Sequence, residues 1–297
     1  MSREEELDPL WEAPIVLAAT PIGNLADTTD RLKQLIRSAD VIACEDTRRT
    51  RHLIQALGLA TGARLVSLHE HNEASRAAEL LEQARGGARI LVVSDAGMPA
   101  VSDPGFRITA AAVEAGVGIT VAPGASAVTT ALALSGLATD RFTFAGFLPR
   151  KHTERLRLID RLRTEEWTTV LFDSPRRIAQ TTAELTAELG ENRQAAVARE
   201  LTKKFEEVLR GTLGELAEQL QVRAESGLKG EFVLVLAGAS PQDAAGAQAP
   251  TVEELAGLVL QRAEAGERLK TAAKDVGARH GVSASELYDA AIGLRGS

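Results

Sequence analysis

Leu91-Val92-Val93-Ser94-Asp95-Ala96-Gly97-Met98-Pro99-Ala100-Val101-Ser102-Asp103-Pro104-Gly105 is the stretch on which the reading of this chain turns. It begins as a continuous apolar run, which suits a strand buried on both faces of a parallel sheet. The run then breaks into a loop holding two Asp, two Ser, two Pro and two Gly within twelve residues. In an open α/β sheet such a loop delivers backbone and small polar groups to the crevice where ligands bind. One Asp-x-Gly by itself would read as an ordinary strand-to-helix turn. The length and polarity of this loop point instead to a binding site.

The same form recurs on either side. Ile15 to Ala19 is a short buried strand ending at Thr20-Pro21-Ile22-Gly23-Asn24-Leu25, after which Asp27 or Thr28 caps a helix to about Ser38. Val41 to Cys44 runs into Glu45-Asp46-Thr47-Arg48-Arg49-Thr50-Arg51-His52, two acids and three arginines at a strand end. Leu65 to Leu68 ends in His69-Glu70-His71-Asn72-Glu73. His-x-His beside carboxylates raises the question of a metal, but no third ligand is spaced convincingly nearby. Capping the next helix or touching a ligand suits these residues better. After helices to about Arg85 and Ala115, Gly118 to Val121 leads to Pro123-Gly124-Ala125-Ser126-Ala127, which opens a small-residue helix to about Leu137. Small residues there allow close backbone approach, to a ligand or to the sheet. This alternation predicts a mostly parallel α/β domain. It carries neither Gly-x-Gly-x-x-Gly nor Gly-Lys-Ser/Thr, so any ligand is held by another set of loops.

A second α/β unit begins at Phe142-Thr143-Phe144-Ala145-Gly146-Phe147. From 150 to 163 stand six Lys or Arg against Glu154 and Asp160, a local +4 that reads either as a solvated helix or as a phosphate-facing surface. Val170 to Asp173 ends in Ser174-Pro175-Arg176-Arg177, and Ala195 to Ala198 leads to Arg199-Glu200-Leu201-Thr202-Lys203. Gly211 to about Ala224 reads as a helix and Glu231 to Ala237 as the closing strand. The expected division is a leader at 1–12, α/β domains at 13–138 and 139–240, a linker at 241–250 and three short helices in 251–297. Ala272 to Tyr288 has helix–turn–helix spacing, which serves DNA binding or plain packing.

Composition narrows the function classes. Aromatics make up 3% of the chain, so a binding surface built on stacked rings, of the sort many single-strand RNA binders use, is not expected. A net charge of −7 argues against coating nucleic acid non-specifically, yet leaves room for a local basic groove. The single Cys44 allows neither an internal disulfide nor a cysteine-based zinc site and fits a reducing cytoplasm. Val121 to Ala138, the longest apolar region, is broken by Pro123, Gly124 and Gly136, so no segment reads as membrane-spanning.

Taken together and in order, Ala19–Leu25, Cys44–Arg48, His69–Glu73, Ser94–Pro99, Pro123–Ala127, Phe147–Lys151, Ser174–Arg177 and Arg199–Lys203 resemble the bacterial small-subunit ribosomal RNA (cytidine-2′-O)-methyltransferases of the tetrapyrrole-methylase superfamily. The resemblance covers about 13 to 240, and the C-terminal helices resemble the helix–turn–helix extension of the same proteins. It implies a tetrapyrrole-methylase-like fold of two α/β domains, S-adenosylmethionine in the cleft between them, and usually a homodimer. It also implies methylation of a cytidine ribose 2′-oxygen in the decoding region of 16S rRNA, on the assembled small subunit, in the cytoplasm and without a metal. The cofactor residues it points to are Pro21, Leu68, Ser94, Asp95, Ala96, Gly97, Val101, Ser102, Ser126 and Ala127, with Phe172, Ser174 and Ala198 from the second domain. Arg48, Arg49, Arg150, Lys151, Arg176 and Arg177 are expected on RNA phosphates, where guanidinium forks suit the geometry. Asp46, Lys151, Glu200 and Lys203 are the candidates for accepting the hydroxyl proton. Two rivals stay open: a methyltransferase for a tetrapyrrole or corrinoid, and a non-catalytic nucleic-acid-binding regulator using 251–297.

Overall fold

The structure, a computed structural model, describes residues 10–69, 71–240 and 251–295. The linker read at 241–250 and most of the leader lie outside the described residues. The chain divides into two compact units: residues up to Thr130 with Leu201–Phe205, and Ala131–Glu200 with Glu206 onward. The division falls inside a helix at Ala127–Ser135, and a five-residue segment of the later sequence belongs to the first unit.

The first unit holds a five-stranded parallel sheet in the order β3-β2-β4-β1-β5, made of β1 (Ile15–Ala18), β2 (Val41–Cys44), β3 (Arg64–Ser67), β4 (Ile90–Val93) and β5 (Ile119–Ala122). Its central strands are apolar at every position because both faces are covered. Ile15, Leu17, Val41, Ala43, Ile90 and Val92 face one core with α3 (Glu73–Arg85) and α4 (Phe106–Glu114). Val16, Ala18, Ile42, Cys44, Leu91 and Val93 face the other with α1 (Asp30–Ser38) and α2 (Thr47–Ala56). Cys44 is a packing group here, its thiol pushed up by burial. Trp11, read as part of the leader, is instead seated in this second core, with Nε1 donating to Ser38 Oγ at 2.9 Å. The cap of α1 is Thr29, accepting from Leu32 N at 3.1 Å, because Leu25–Asp27 forms a short 3-10 turn first.

Helix α5 (Ala127–Ser135) spans the division, and the second unit, from Ala131 on, holds a mixed sheet in the order β6-β7-β10-β8-β9. The strands are β6 (Phe142–Phe147), β7 (Thr168–Asp173), β8 (Gln194–Arg199), β9 (Glu207–Thr212) and β10 (Phe232–Leu236). Only β6 and β7 run parallel. Helices α6 (His152–Thr164), α7 (Ile178–Leu189) and α8 (Leu213–Glu225) cover it. The C-terminal helices α9 (Val252–Glu264), α10 (Leu269–His280) and α11 (Ala284–Arg295) form a bundle with its own core around Leu255, Val259, Val276 and Leu287. Arg157 of α6 donates to Ala278 O of α10 at 3.2 Å, tying the bundle to α6 within the second unit. Among the described residues no helix is long and apolar enough to cross a membrane.

Candidate active site

The crevice expected at the C-terminal ends of a parallel sheet is built in the first unit from the loops after β1, β4 and β5. Thr20 and Gly97 form an antiparallel bridge, with N–H···O distances of 3.0 and 3.1 Å. Thr20 Oγ1 donates to Ser94 O at 3.2 Å, and Ser94 Oγ donates to Gly97 O at 2.9 Å. The loop after β5 closes the group, since Ala125 O lies 3.6 Å from where a Cβ on Gly97 would stand. Thus Pro21, Ser94–Gly97 and the Ser126–Ala127 turn come together. Ala100 (φ 67°) and Ser102 (φ 62°) sit in the left-handed region, each at a cost of about 1 kcal/mol, so this loop is held in its shape by its surroundings.

Part of that support comes from a residue the sequence reading did not single out for it. Glu73, at the start of α3, is buried, and its Oε1 accepts from Gly105 N at 2.8 Å and Arg107 N at 2.9 Å. It caps α4 from outside, where Gly105 has no side chain to do so. His69 and His71 stand edge to face at 6.1 Å, and no group of three His, Cys, Asp or Glu that could hold a metal occurs among the described residues. Asn72 Oδ1 accepts from His69 N at 2.8 Å, so this segment closes its own turn. Leu68 is fully buried in the sheet core, which makes its side chain a packing group.

Beside the loop lies a charged cluster. Asp46 is the N-cap of α2, accepting from Arg48 N at 2.7 Å, and that bond holds its carboxyl below the usual range. Its own N–H donates to Asp95 Oδ1 at 3.1 Å, and Arg49 pairs with Asp95 Oδ2 at 3.0 Å. Glu45 and Asp103 hydrogen-bond to each other. Burial, together with the charges of Glu45 and Asp95, pushes Asp103 up to about 7. Burial also raises Glu45. The pair joins residues from the ends of β2 and of the β4 loop, a tertiary meeting that no spacing in the sequence announces.

Of the remaining proton-acceptor candidates, Lys203 belongs to the first unit, as these loops do. Gly23 lacks a Cβ where one would lie 2.4 Å from Lys203 Cγ and 3.0 Å from Leu201 O, so the lysine stem packs directly on the loop after β1. Glu200 and Thr202, which precede it in the chain, have φ of 52° and 63°. Glu200 Oε1 accepts from Glu231 N at 3.0 Å. Lys151 is exposed and pairs with Glu154 at 3.1 Å.

Phe172, Ser174 and Ala198 belong to the second unit, Ala198 buried within β8. The expected arginines divide into two sets there. Arg177 is committed internally, donating to Leu148 O at 2.7 Å and lying 3.8 Å from Asp173. Arg150 and Arg176 are exposed, as is Arg48 in the first unit. In the basic helix α6 three of the four arginines are engaged within the second unit: Arg155 pairs with Glu184, Arg163 with Glu188 and Asp160, and Arg157 holds α10, while Arg161 stays exposed.

Comparison with known proteins agrees with this geometry. The model of the tetrapyrrole (corrin/porphyrin) methylases matches residues 14–217. The chain is 46% identical over 285 residues to the Ribosomal RNA small subunit methyltransferase I of Mycobacterium tuberculosis, covering 95% of each. To the protein of that name from Halalkalibacterium halodurans it is 38% identical over 279 residues, 93% of each. Among solved structures it is similar to diphthine synthase, with a TM-score of 0.57 at 19% identity over 75% of this chain and 89% of that one. Uroporphyrin-III C-methyl transferase from Thermus thermophilus, complexed with S-adenyl homocysteine, matches with a TM-score of 0.51 at 20% identity over 75% and 96%. At that identity the structures speak for the fold alone. Loops, fold and relatives converge, and the chain belongs to the tetrapyrrole methylase family.

Proposed function

We propose that this protein is an S-adenosylmethionine-dependent methyltransferase of the small ribosomal subunit, acting on the ribose 2′-oxygen of a decoding-region cytidine of 16S rRNA. The observation that carries the reading is its 46% identity across 95% of proteins named Ribosomal RNA small subunit methyltransferase I. The test is labelled methyl transfer to small subunits from a strain lacking the enzyme, with a tetrapyrrole substrate in parallel. Transfer to the tetrapyrrole, or duplex DNA binding without transfer, would contradict it.

When bound, the cofactor supplies an electrophilic methyl group on a sulfonium. The small residues and paired backbone groups of Thr20, Ser94–Gly97 and Ser126–Ala127 fit such a ligand, since they let main-chain donors and acceptors approach adenine and the amino-acid moiety. Asp95, already fixed by Arg49 and Asp46 N, binds rather than moves a proton. Positioning then supplies much of the acceleration of an in-line displacement. The ribose hydroxyl still needs a base, and Lys203 in its neutral form is the acceptor we favour, because its stem is packed on the loop after β1. Lys203→Met keeps that packing and removes the amine. It is expected to lower kcat by about 10²–10⁴-fold with cofactor affinity unchanged. Near wild-type turnover would remove Lys203 from the role.

Arg48, Arg150, Lys151 and Arg176 are the exposed cations placed to meet phosphates. We further propose a cytoplasmic homodimer. Phe106 and Val113 leave 70% and 68% of their surface exposed on one stripe of α4, and Val121 is exposed on the edge strand β5 against which α4 packs. An apolar stripe at a sheet edge suits a second copy. Phe106→Glu is expected to halve the mass measured by light scattering.

A further inference from the structure

Aromatic side chains are scarce here, yet three of the seven phenylalanines meet at one end of the second unit's sheet. Phe144 and Phe147 each stand edge to face on Phe172, at 4.9 Å and 63° and at 5.7 Å and 68°. Simple strand alternation would send Phe144 and Phe147 to opposite faces. The register of β6 on β7 shifts between them, Phe144 facing Val170 and Phe147 facing Phe172, so both rings reach the same partner. Phe144 and Phe172 are part-buried, as packing residues should be. Phe147 is not, with 54% of its surface left in water. Core packing accounts for the first two rings and leaves the third unexplained.

The two loops that leave the strand ends at Phe147 are rich in cations, in a chain of net charge −7. β6 runs on into Leu148-Pro149-Arg150-Lys151, and β7 into Ser174-Pro175-Arg176-Arg177. Arg177 ties the two loops by donating to Leu148 O at 2.7 Å, fixing their relation before any ligand arrives. Arg150 and Arg176 are left exposed, with no ion pair among the described residues. An exposed ring at the end of a strand, with exposed guanidinium groups in the loop that follows it and in the loop after the neighbouring parallel strand, has the chemistry to take an unstacked base, the ring against the base and the cations on the flanking phosphates.

We propose that Phe147 is the platform on which one unpaired base of the RNA substrate stacks, with Arg150 and Arg176 holding the adjoining phosphates. The assignment rests on the reading of the protein as an RNA methyltransferase and adds to it a substrate-binding residue. Being exposed, Phe147 can be changed without opening a core.

The test compares wild type with Phe147→Ala, Phe147→Leu and Phe147→Trp. For each, kcat/KM for methylation of small subunits, cofactor affinity by calorimetry without RNA, and molecular mass are measured. Phe147→Ala is expected to lower kcat/KM by about tenfold or more, the loss of one base–aromatic stack. Phe147→Leu keeps apolar contact without a ring face and is expected to fall alongside it. Phe147→Trp is expected to stay within about twofold of wild type, since stacking accepts any large ring. Cofactor affinity and mass should not change. Full activity in Phe147→Leu overturns the platform. Weakened cofactor binding places the ring on the cofactor instead, and a fallen mass places it between copies of the chain; each overturns the proposal. A wild-type protein that does not methylate small subunits overturns the functional reading, and the platform with it.

Discussion

At the scale of single residues, the most informative groups are the ones that do not act on substrate. Asp103 shares a hydrogen bond with Glu45, and burial among carboxylates raises it from 3.8 to about 7. The folded chain therefore binds more protons than the unfolded one between those values. The stabilisation is full below about pH 4 and is lost as pH rises through about 7. Asp103 is part-exposed, so the effect should be about 1–2 kcal/mol once screened by solvent. Denaturant titrations near pH 5 and near pH 8 should show wild type losing that much more stability than Asp103→Asn. Parallel losses would remove the shared proton from the account. Glu73 makes a second residue-scale case. Glu73→Ala leaves Gly105 N and Arg107 N without their acceptor and should cost about 2–3 kcal/mol. Cofactor affinity should fall with it, because the 94–105 loop loses its anchor. Unchanged affinity in a destabilised variant would mean that the loop holds its shape without the cap.

At the scale of elements, charge read from sequence and charge available on the surface part company in α6. Its net charge is read easily, but where each guanidinium points depends on α7 and α10. Arg155 Nε donates to Glu184 Oε2 at 2.6 Å with both groups largely sheltered. Arg155→Ala should therefore cost about 2 kcal/mol and leave the KM for small subunits alone. Arg176→Ala should do the reverse. A raised KM in Arg155→Ala would return α6 to the RNA surface. The C-terminal hairpin has its own signature. A Cβ on Gly277 of α10 would lie 2.5 Å from Val282 O, so the chain after α10 can fold back only over a glycine. Gly277→Ala should destabilise α9–α11 by about 2 kcal/mol, seen as faster amide exchange confined to those helices.

The whole molecule explains which features are legible in the sequence. The strands of the first unit stand out because burial on both faces makes them continuously apolar, and each loop after them keeps its polar and small residues in sequence order. Ser94–Gly97 and the Thr20 loop are therefore readable from the chain alone as polar loops at strand ends, and the structure brings them together. In the second unit the reading thins. β9 (Glu-Val-Leu-Arg-Gly-Thr) is an edge strand with no run of buried residues, and α7, rich in Thr and Ala, carries only a weak apolar stripe. Neither is marked in the sequence reading. What no sequence pattern carries is pairing at a distance: Glu45 with Asp103, Glu73 with Gly105 N, Lys203 against Gly23, Phe147 on Phe172. These contacts mark the side chains that hold the loops of the candidate site in place.

The most direct measurement is where the methyl group goes. Small subunits lacking the modification should be incubated with the protein and labelled S-adenosylmethionine, and the rRNA digested and resolved by mass spectrometry. The label should sit on the ribose 2′-oxygen of a single cytidine in the decoding region. Label on a base, on several nucleotides, or nowhere on the RNA would contradict it.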